Sequence, residues 1–507
     1  MSLRVYNTLT RQKELFEPVN PGQVGIYLCG PTVYKPSHVG HAVGPIIFDA
    51  IKRYLTHKGF RVKLVINITD VDDKLIDEAA RQHRPMLELA REVEANYKQS
   101  LAALGVGSVD AFPRATENIE AIIGLVRTLV EKGAAYVVGG DVWFDHAAAA
   151  DYGKLSGRRA EEQLPGSREL AGEGKRHPAD FALWKVSKPG EPAWDSPWGK
   201  GRPGWHIECS AMSMSLLGTT FDIHGGGMDL IFPHHENEIA QSETATGQCF
   251  AKYWLHNGLT RIKTKAASGE WRDEKMSKSL GNIRTITELL ETWTGETIRA
   301  FVLSTHYRRP LEFNDEQLDN AAKALETFYR LFERISRQAG GDAYAGGATI
   351  ERLHDQAKTP AETALVNDVL QHRLAFYEAM DDDFNTAGAI AALHGMAGAI
   401  NRYLDQAVLE GPEGETGCKL ALAGGTSVAA TGRIIGLFEA PPLQPGGGGS
   451  NLPAGVDAAA VEALLAQRAE ARKAKDFKTA DAVRQKLSDM GIVLEDTPKG
   501  TIWRRAK

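Results

Sequence analysis

The chain lacks several features that would place it in a specialised class of protein. Among its 507 residues, no apolar run is long enough to cross a bilayer, and residues 1–6 lack the apolar segment of a signal peptide. The four cysteines are too few for a disulfide framework in a chain of this length. These absences predict a cytoplasmic protein without a membrane partner, in which each thiol is a candidate for metal binding or catalysis.

The chain also lacks an excess of positive charge. Its net charge of −6 argues against an indiscriminate coating of nucleic acid, although a local basic patch stays compatible with it. Charged residues make up 24% and hydrophobic residues 43%, as in ordinary globular proteins. The length predicts about three or four domains.

What the chain does have is an unusual turn after an early strand. The apolar run 24–28 predicts a strand, and the segment 45–58 predicts a helix after a Gly/Pro-rich turn. The turn carries Cys29 at the end of the strand, and His38 and His41 on either side of Gly40. A strand, turn and helix of this kind is typical of the entrance to a nucleotide-binding α/β unit.

The rest of the chain predicts an α/β fold that is interrupted and then extended by helices. A second strand at 61–68 ends in an acidic stretch, and 75–103 predicts a helix. The following predictions are, in chain order, a helix at 119–131, a hairpin at 136–144, a polar Gly-rich region at 153–178, a short strand at 221–224, a glycine turn at 225–229, a helix at 233–246, helices from 285 to about 438, a Gly/Pro linker at 441–450, one long basic helix and a compact end.

Four side chains could hold a metal ion. His234 and Glu238 are four residues apart, which places them on one face of a helix. Cys209 and Cys29 could add two thiolates, and this combination of sulfur, imidazole and carboxylate suits zinc. Isolated buried cysteines and surface His/Glu pairs are common, so spacing alone leaves the site open.

A second candidate site is a loop with two lysines. Lys275 and Lys278 flank Ser277 in a loop that ends at Gly281 and precedes a helix. Such a loop can cover a triphosphate and neutralise the charge that develops on departing pyrophosphate. A solvated lysine loop is the alternative interpretation.

The combination of motifs resembles the class I aminoacyl-tRNA synthetases, and within them the cysteinyl-tRNA synthetases. The two signatures are His38-Val39-Gly40-His41 and Lys275-Met276-Ser277-Lys278-Ser279, in this order. The resemblance to the narrower family rests on further stretches that span almost the whole chain, at 28–34, 67–70, 204–212, 222–230, 232–238, 306–311, 380–386 and 471–476. Val39 stands where isoleucine is usual in the first signature.

The resemblance implies an α/β fold with a class I Rossmann-like nucleotide-binding catalytic domain and an inserted subdomain, followed by a mainly α-helical region and a small C-terminal α+β module. The boundaries expected from it are 1–114 for the first half of the catalytic domain, 115–203 for the inserted connective subdomain, 204–285 for the second half with the lysine loop, 286–440 for a helical stem-contact and bundle region, 441–450 for the linker and 451–507 for an anticodon-binding module.

It also implies roles for particular residues. One zinc ion per chain would be held by Cys29, Cys209, His234 and Glu238 in the amino-acid pocket, where it selects the substrate thiolate. The residues implied to bind ATP or to act in catalysis are His38, His41, Gly227, Asp229, Lys275 and Lys278, with Mg²⁺ accompanying the nucleotide. Thr69, Trp205 and His224 are candidates for the wall of the substrate pocket, although each could serve packing alone.

The implied reaction is the ATP-dependent ligation of L-cysteine to its tRNA, through cysteinyl-adenylate. Residues 451–507 carry a net charge of +3, which fits a module that grips an RNA backbone. A monomer is expected. One alternative is an enzyme that passes activated cysteine to an amino sugar, which needs no anticodon module. Another is a catalytically inactive zinc protein that binds RNA, which the intact signatures oppose.

Overall fold

The computed structural model describes residues 2–158, 174–265, 271–274, 284–344, 346–406, 411–439, 458–474, 476–497 and 500–505. Within them the chain divides into two compact units, Met1–Leu437 and Phe438–Lys507. Among the described residues, no helix combines the length and the apolar character that crossing a membrane requires.

The helices and strands of the first unit fall into three groups along the chain. The first group is β1 (Arg4–Asn7), β2 (Gln12–Leu15), β3 (Gln23–Leu28), α1 (Val39–His57), β4 (Arg61–Ile66), α2 (Asp73–Arg81) and α3 (Met86–Ala103). The second is α4 (Ile119–Glu131), β5 (Ala135–Val138), β6 (Asp141–Phe144), β7 (Phe181–Val186) and β8 (Gly201–Pro203). The third is α5 (Trp205–Leu217), β9 (Phe221–Gly227), α6 (Glu236–Thr246), β10 (Ala251–Asn257), β11 (Thr260–Lys265), β12 (Trp271–Glu274), α7 (Ile286–Leu290), α8 (Gly295–Leu303), β13 (Leu311–Phe313), α9 (Asp315–Ala339), α10 (Pro360–Asp381), α11 (Thr386–Gln406) and α12 (Gly411–Arg433).

A four-stranded parallel sheet forms the centre of the first unit, in the order β10-β9-β3-β4. β3 and β4 are adjacent in the sheet and are joined through α1, as in a βαβ unit. β9 and β10 belong to the same sheet although the four strands β5–β8 precede them in the chain. The expected α/β fold with an insertion is therefore what the structure contains.

The inserted segment forms its own antiparallel sheet, in the order β5-β6-β7-β8. The predicted hairpin is correct, and its turn residues Gly139 and Gly140 adopt φ values of 62° and 98°. Its core includes Ile122, Phe144 and Trp184, together with residues of α5 and α6. The insertion therefore packs on the helices that carry the later motifs.

Several predicted boundaries are wrong. α1 begins at Val39, not at Pro45, because Val39, Ala42 and Val43 are buried and packing extends the helix ahead of the proline. The helix predicted at 75–103 is two helices, since Pro85 occupies the N-cap of α3. The glycines predicted as a turn at 225–227 instead continue β9, where they pair with Leu255–Asn257 of β10.

Buried polar contacts connect the sheet and its helix α1 to the helical region, and two of them involve Arg299 and Asp383. Arg299 of α8 is buried, and its guanidinium contacts Asp49 Oδ2 of α1 at 2.6 Å and the carbonyl oxygens of Gly105 and Ile435 at 3.2 and 3.0 Å. The buried Asp383 accepts hydrogen bonds from the Tyr6 backbone N–H and the Tyr307 hydroxyl, at 2.7 and 2.8 Å. The motifs at 306–311 and 380–386 thus meet in one joint.

The second unit consists of α13 (Ala458–Lys473), α14 (Phe477–Asp489), β14 (Ile492–Thr497) and β15 (Gly500–Arg505). The single basic helix predicted here is therefore a pair of helices. β14 and β15 form an antiparallel hairpin in which Thr497 is opposite Gly500. Val461, Leu487 and Ile492 belong to a small core of this unit.

Candidate active site

A large cleft opens at the carboxyl ends of β3, β9 and β10, with a volume of about 650 Å³. The carboxyl ends of parallel strands are where open α/β sheets bind their ligands. Residues from the predicted sites that line it are Cys29, His38, His41, Gly227 and Asp229. The structure therefore brings five of the sequence-predicted residues to one cavity.

The two signature histidines lie at the start of α1. His38 is the N-cap residue, with an extended backbone, and His41 lies in the first turn. Their rings are stacked, with centroids 3.8 Å apart. Burial, with further contributions from His38 and Lys74, lowers the pKa of His41 to about 3. At neutral pH the His41 ring is therefore uncharged, so that it could interact with a ligand through hydrogen bonds and not as a cation.

Lys275 and Lys278 lie outside the described residues. The segment that follows them returns to the first signature, where Thr285 forms an antiparallel bridge with His38. The backbone N–H of Ile286 also donates to the Ser37 oxygen, at 2.9 Å. The described chain therefore resumes beside the histidines.

The four predicted metal ligands converge next to this cleft. Cys29 follows β3, Cys209 lies on α5, His234 in the π-helical turn Ile231–His235, and Glu238 on α6. One ligand atom from each lies within 4.8 Å of all the others. Cys29 is partly exposed and the other three are buried.

Their spacing fits a tetrahedral zinc site. The distances are 3.9 Å between the Sγ atoms of Cys29 and Cys209, and 3.6 Å between Cys29 Sγ and Glu238 Oε1. Nε2 of His234 lies 3.6 Å from Cys209 Sγ and 3.0 Å from Glu238 Oε1. With metal bonds of about 2.0–2.3 Å, the edges of such a tetrahedron are about 3.3–3.8 Å long.

The protonation of these groups also fits a cation. Burial is the largest cause that raises the pKa of the Cys29 thiol, and Cys209 and Glu238 raise it further. The hydrogen bond with Cys29 lowers the pKa of Cys209, but burial and Glu238 outweigh it and the net shift is upward. Burial holds the pKa of His234 well below its usual range, so its imidazole is neutral and able to bind a metal. A bound cation would relieve the crowding of thiolates and carboxylate.

A second layer of histidines orients these ligands. His224 Nε2 lies 2.8 Å from Glu238 Oε2, His206 Nδ1 lies 2.8 Å from His234 Nδ1, and His235 Nε2 lies 3.3 Å from Cys29 Sγ. His235 in turn contacts His256, at 2.8 Å. Outer contacts of this kind fix the tautomer and direction of metal ligands.

A second combination of four groups, Cys29, His224, His235 and Glu238, also lies within 4.8 Å. It contains one thiol where the first set contains two. Zinc prefers soft thiolate ligands, so the set with Cys209 and His234 fits it better.

Trp205 and His224 contact candidate metal ligands, whereas Thr69 contacts Asn67, and none of the three is among the described residues that line the large cleft. The Trp205 ring stacks on the His234 ring with centroids 4.2 Å apart, and it borders a smaller cavity. Thr69 Oγ1 accepts a hydrogen bond from Asn67, at 3.3 Å, and is buried. His224 is fully buried against Glu238.

Sequence reasoning missed other residues of the cleft. Asn257, Gly258 and Arg261 line it, because β10 ends there beside β9. These residues can be assigned to the cleft only when the pairing of β10 with β9 is known, because no sequence motif marks residues 257–261. The structure also places His235 and His256 in the layer behind the candidate ligands.

Comparison with known proteins agrees with this geometry. Residues 15–323 match the model of the tRNA synthetases class I (C) catalytic domain, residues 375–439 the DALR domain, and residues 458–504 the cysteinyl-tRNA ligase anticodon binding domain. A solved structure with a similar fold is that of Mycobacterium tuberculosis methionyl-tRNA synthetase bound by methionyl-adenylate, with a TM-score of 0.60, 17% identity and coverage of 82% of this chain and 91% of that one. The LeuRS of Agrobacterium radiobacter K84, in its ternary complex with tRNA and LeuAMS, matches with a TM-score of 0.58 and 12% identity, over 84% of this chain and 87% of that one.

Relatives of much higher identity span the full chain. The cysteine–tRNA ligase of Thermococcus onnurineus is 47% identical over 507 residues, which are 100% of this chain and 99% of the relative. The cysteine–tRNA ligase of Geobacter sulfurreducens is 46% identical over 509 residues, with 99% and 100% coverage. Two signatures, a fold and a likeness that runs from end to end lead to one conclusion: the chain belongs to the cysteine–tRNA ligase family of class I aminoacyl-tRNA synthetases.

Proposed function

We propose that this chain activates L-cysteine with ATP and transfers it to the 3′ end of its tRNA, with the amino acid selected beside a zinc site. The observation that carries the proposal is the position of Cys29. It lines the nucleotide-sized cleft and also contributes to the four-ligand cluster, with Sγ 3.9 Å from that of Cys209. The proposed thiol-selective centre and the nucleotide cleft therefore meet at the carboxyl end of β3.

The chain's own residues supply binding and positioning for ATP. His38 and His41, at the N-terminus of α1, would contact the phosphates together with backbone N–H groups. Gly227 lets the backbone of β9 approach the ribose, and the exposed Asp229 carboxylate can accept from a ribose hydroxyl. Lys275 and Lys278 would neutralise the charge on the departing pyrophosphate, and Mg²⁺ would accompany the triphosphate.

The amino-acid pocket must reject serine and alanine, which differ from cysteine by one group. Packing against such a small difference is worth only about 1–3 kcal/mol. Zinc, when bound by Cys29, Cys209, His234 and Glu238, would supply a Lewis acid that binds a thiolate far better than a hydroxyl or methyl group. Trp205 and Thr69 would enclose the same pocket.

The reaction needs no covalent enzyme intermediate. The cysteine carboxylate attacks the α-phosphorus of ATP, the bond from that phosphorus to the bridging oxygen breaks, and pyrophosphate leaves. A terminal ribose hydroxyl of the tRNA then attacks the carbonyl carbon of the adenylate, and AMP leaves. Positioning and charge stabilisation therefore account for the catalysis.

The decisive experiment is aminoacylation of total tRNA with each amino acid in turn, together with amino acid-dependent ATP–pyrophosphate exchange. We expect exchange and charging with cysteine and neither with serine or alanine. Charging with another amino acid, or no exchange with cysteine, would contradict the proposal.

An acceptor other than tRNA is the competing function. The match of residues 458–504 to an anticodon-binding domain favours tRNA, as does the two-helix and hairpin unit found there. Removal of residues 438–507 should spare adenylate formation and weaken tRNA charging. Unchanged charging would refute the anticodon role. We also propose a cytoplasmic location, where tRNA and ATP are present, and a monomer, as expected from the sequence.

A further inference from the structure

A group of potential metal ligands that the proposed mechanism does not use lies on the inserted segment. His146 follows the end of β6, and His177 and Asp180 precede β7. Because β6 and β7 are antiparallel and Phe144 is opposite Phe181, the two short segments meet at one end of the sheet. One nitrogen or oxygen atom from each of the three side chains lies within 4.8 Å of the other two. The fold therefore brings together ligands that are far apart in the sequence.

The carboxylate of Asp180 is held in a fixed direction. Its side chain is buried, and its Oδ2 accepts hydrogen bonds from the Tyr136 hydroxyl and the His177 backbone N–H, at 2.6 and 3.0 Å. The His146 backbone N–H donates to Oδ1 at 3.1 Å. Burial would raise the pKa of Asp180, but the hydrogen bonds outweigh it and the net shift of the pKa is downward. Outer hydrogen bonds of this kind orient the carboxylate ligands of metal ions.

The negative charge of this buried carboxylate has a weak partner. In the described part of the chain, Asp180 forms an ion pair with His146 and with no lysine or arginine. An imidazole is a cation only when it is protonated. Buried carboxylates are usually paired with a cation or bound to a metal. A divalent ion would supply a permanent positive charge beside Asp180.

The two imidazoles are placed as neighbouring ligands. Their rings are stacked, with centroids 4.1 Å apart and planes inclined by 25°. Nδ1 of His146 lies 2.9 Å from Asp180 Oδ1. With metal bonds of about 2.0–2.2 Å, two ligands at a right angle lie about 2.8–3.1 Å apart, so this distance fits one edge of an octahedral site. Without a metal, the same two atoms share a hydrogen bond.

Both histidines are reachable from solvent. Each is partly exposed, and 18% of the His146 side chain is accessible. Nδ1 of His177 accepts a hydrogen bond from the Ala179 N–H at 3.1 Å, so binding through this nitrogen would exchange one hydrogen bond for a metal bond. The three groups thus combine a fixed buried oxygen with two nitrogens that an ion can approach.

We propose that His146, His177 and Asp180 bind a divalent transition-metal ion, separate from the zinc proposed for the amino-acid pocket. Imidazole nitrogens suit Zn²⁺, Co²⁺ and Ni²⁺, whereas Mg²⁺ and Ca²⁺ prefer sites made of oxygen ligands. Water would fill the remaining positions of the ion. The inference does not depend on the proposed function, because these three residues lie outside the catalytic cleft.

The ion would have a structural role. It would join the chain that follows β6 to the chain that precedes β7, and so hold both ends of the segment between them. The Tyr152 ring of that segment packs edge-on against the His146 ring, with centroids 6.3 Å apart, and its hydroxyl donates to Asn237 Oδ1 on α6. The ion would therefore stabilise the contact between the insertion and α6 without touching substrate.

The test compares four full-length proteins: wild type, His146→Ala, His177→Ala and His354→Ala as the matched control. His354 is exposed, with Nδ1 3.1 Å from Asp355 Oδ1, and it lies outside the clusters of potential metal ligands found among the described residues. Each protein is supplied with one equivalent of zinc and dialysed, and its metal content is determined. Co²⁺ is then titrated in while bound metal and the absorption spectrum are measured.

We expect wild type and His354→Ala to bind one further Co²⁺ per chain, and His146→Ala and His177→Ala to bind it at least about tenfold more weakly. The further ion should add the weak visible bands of Co²⁺ with nitrogen and oxygen ligands. It should not add the strong near-ultraviolet band that a thiolate ligand produces. Cysteine-dependent ATP–pyrophosphate exchange should be equal in all four proteins.

The inference is overturned if wild type takes up no further ion. It is also overturned if either histidine variant binds the ion as tightly as wild type, since fewer than the three proposed ligands would then be in use. A thiolate band from the further ion would assign it to a cysteine, with the same consequence. Should an alanine variant fail to fold, His146→Asn and His177→Asn, which keep a polar side chain, provide the same comparison.

Discussion

At the scale of single residues, the proposed discrimination of the amino acid would depend on the donor atoms that converge on one point. Cys209 is buried on α5 and contributes one of the two thiols, 3.6 Å from His234 Nε2. A serine in its place has nearly the same volume, but its hydroxyl is a poor zinc ligand at neutral pH. The substitution therefore separates metal binding from packing.

We expect Cys209→Ser to lower zinc affinity by at least about 100-fold and to abolish most cysteine-dependent exchange, while ATP binding is retained. Metal analysis of the purified protein and KM values for both substrates measure the two effects. Cys249→Ser is the control, because Cys249 is an exposed cysteine outside the clusters of potential metal ligands found among the described residues. Equal losses of cysteine and ATP binding would point to misfolding and contradict the assignment.

His41 gives a prediction about pH. Its pKa is about 3 in the folded protein and about 6.5 in an unfolded chain, so the fold binds fewer protons than the unfolded state between these values. The stability that this neutral ring contributes is present above pH 6.5 and is lost as the pH falls towards 3. We therefore expect the free energy of unfolding of wild type, relative to His41→Asn, to decline over this range. Denaturant unfolding at several pH values measures it, and parallel curves would contradict the prediction.

At the scale of elements, α6, which carries the candidate metal ligand Glu238 and follows the turn with His234, is tied to the insertion. Glu236, at the start of α6, is buried between His234 and Glu238 in sequence. Its carboxylate accepts hydrogen bonds from the backbone N–H groups of Gly153 and Ser156, at 3.0 and 2.7 Å. The N–H of Leu155 contacts the same carboxylate at 3.4 Å. The position of the ligands therefore depends on a loop about 80 residues earlier in the chain.

We expect Glu236→Ala to lower the free energy of unfolding by about 3 kcal/mol, because buried donors lose a charged acceptor. Zinc should also be lost more readily to a competing chelator. Glu236→Gln should be intermediate, since its amide oxygen still accepts. Glu243→Ala, which removes another carboxylate of α6 and its contact with Lys154, should leave zinc retention unchanged. Equal zinc loss in both alanine variants would mean that Glu236 has no special role in positioning.

At the scale of the whole molecule, buried polar contacts join the sheet to the helical region. Arg299 connects α1, the end of α3 and the end of α12 through a single guanidinium. Burial alone would raise the pKa of Asp49. The neighbouring guanidinium groups of Arg299 and Arg53 outweigh this effect and hold the pKa of Asp49 below its usual range. The removal of Arg299 would leave a buried carboxylate without its main partner.

We expect Arg299→Met to lower the free energy of unfolding by about 3–5 kcal/mol, measured by urea denaturation. The double variant Asp49→Asn/Arg299→Met should recover part of this loss, because no unpaired charge remains. A double variant that loses the sum of the two single effects would show that the pair is not coupled.

The sequence predicts candidate site residues from the chemistry of their side chains. It does not predict features that depend on packing between distant segments. Cys29, Cys209, His234 and Glu238 are candidates by their donor atoms, the family resemblance joins them into one site, and the structure places the four groups close together. The start of α1 at Val39 was missed because burial of its first turn, not propensity, extends the helix. Asn257 was missed because its place in the cleft follows from the pairing of β10 with β9, which no local pattern records.

The glycine run of β9 has a consequence for engineering. A Cβ on Gly225 would lie 2.1 Å from the Phe48 ring, and one on Gly226 would lie 2.7 Å from the His235 ring. This floor of the site consists of main-chain atoms, so a library of substitutions there would mostly yield proteins that fail to pack. A redesign for a bulkier amino acid or a modified nucleotide would therefore have to change side chains elsewhere around the cleft and leave the glycines of β9 unchanged.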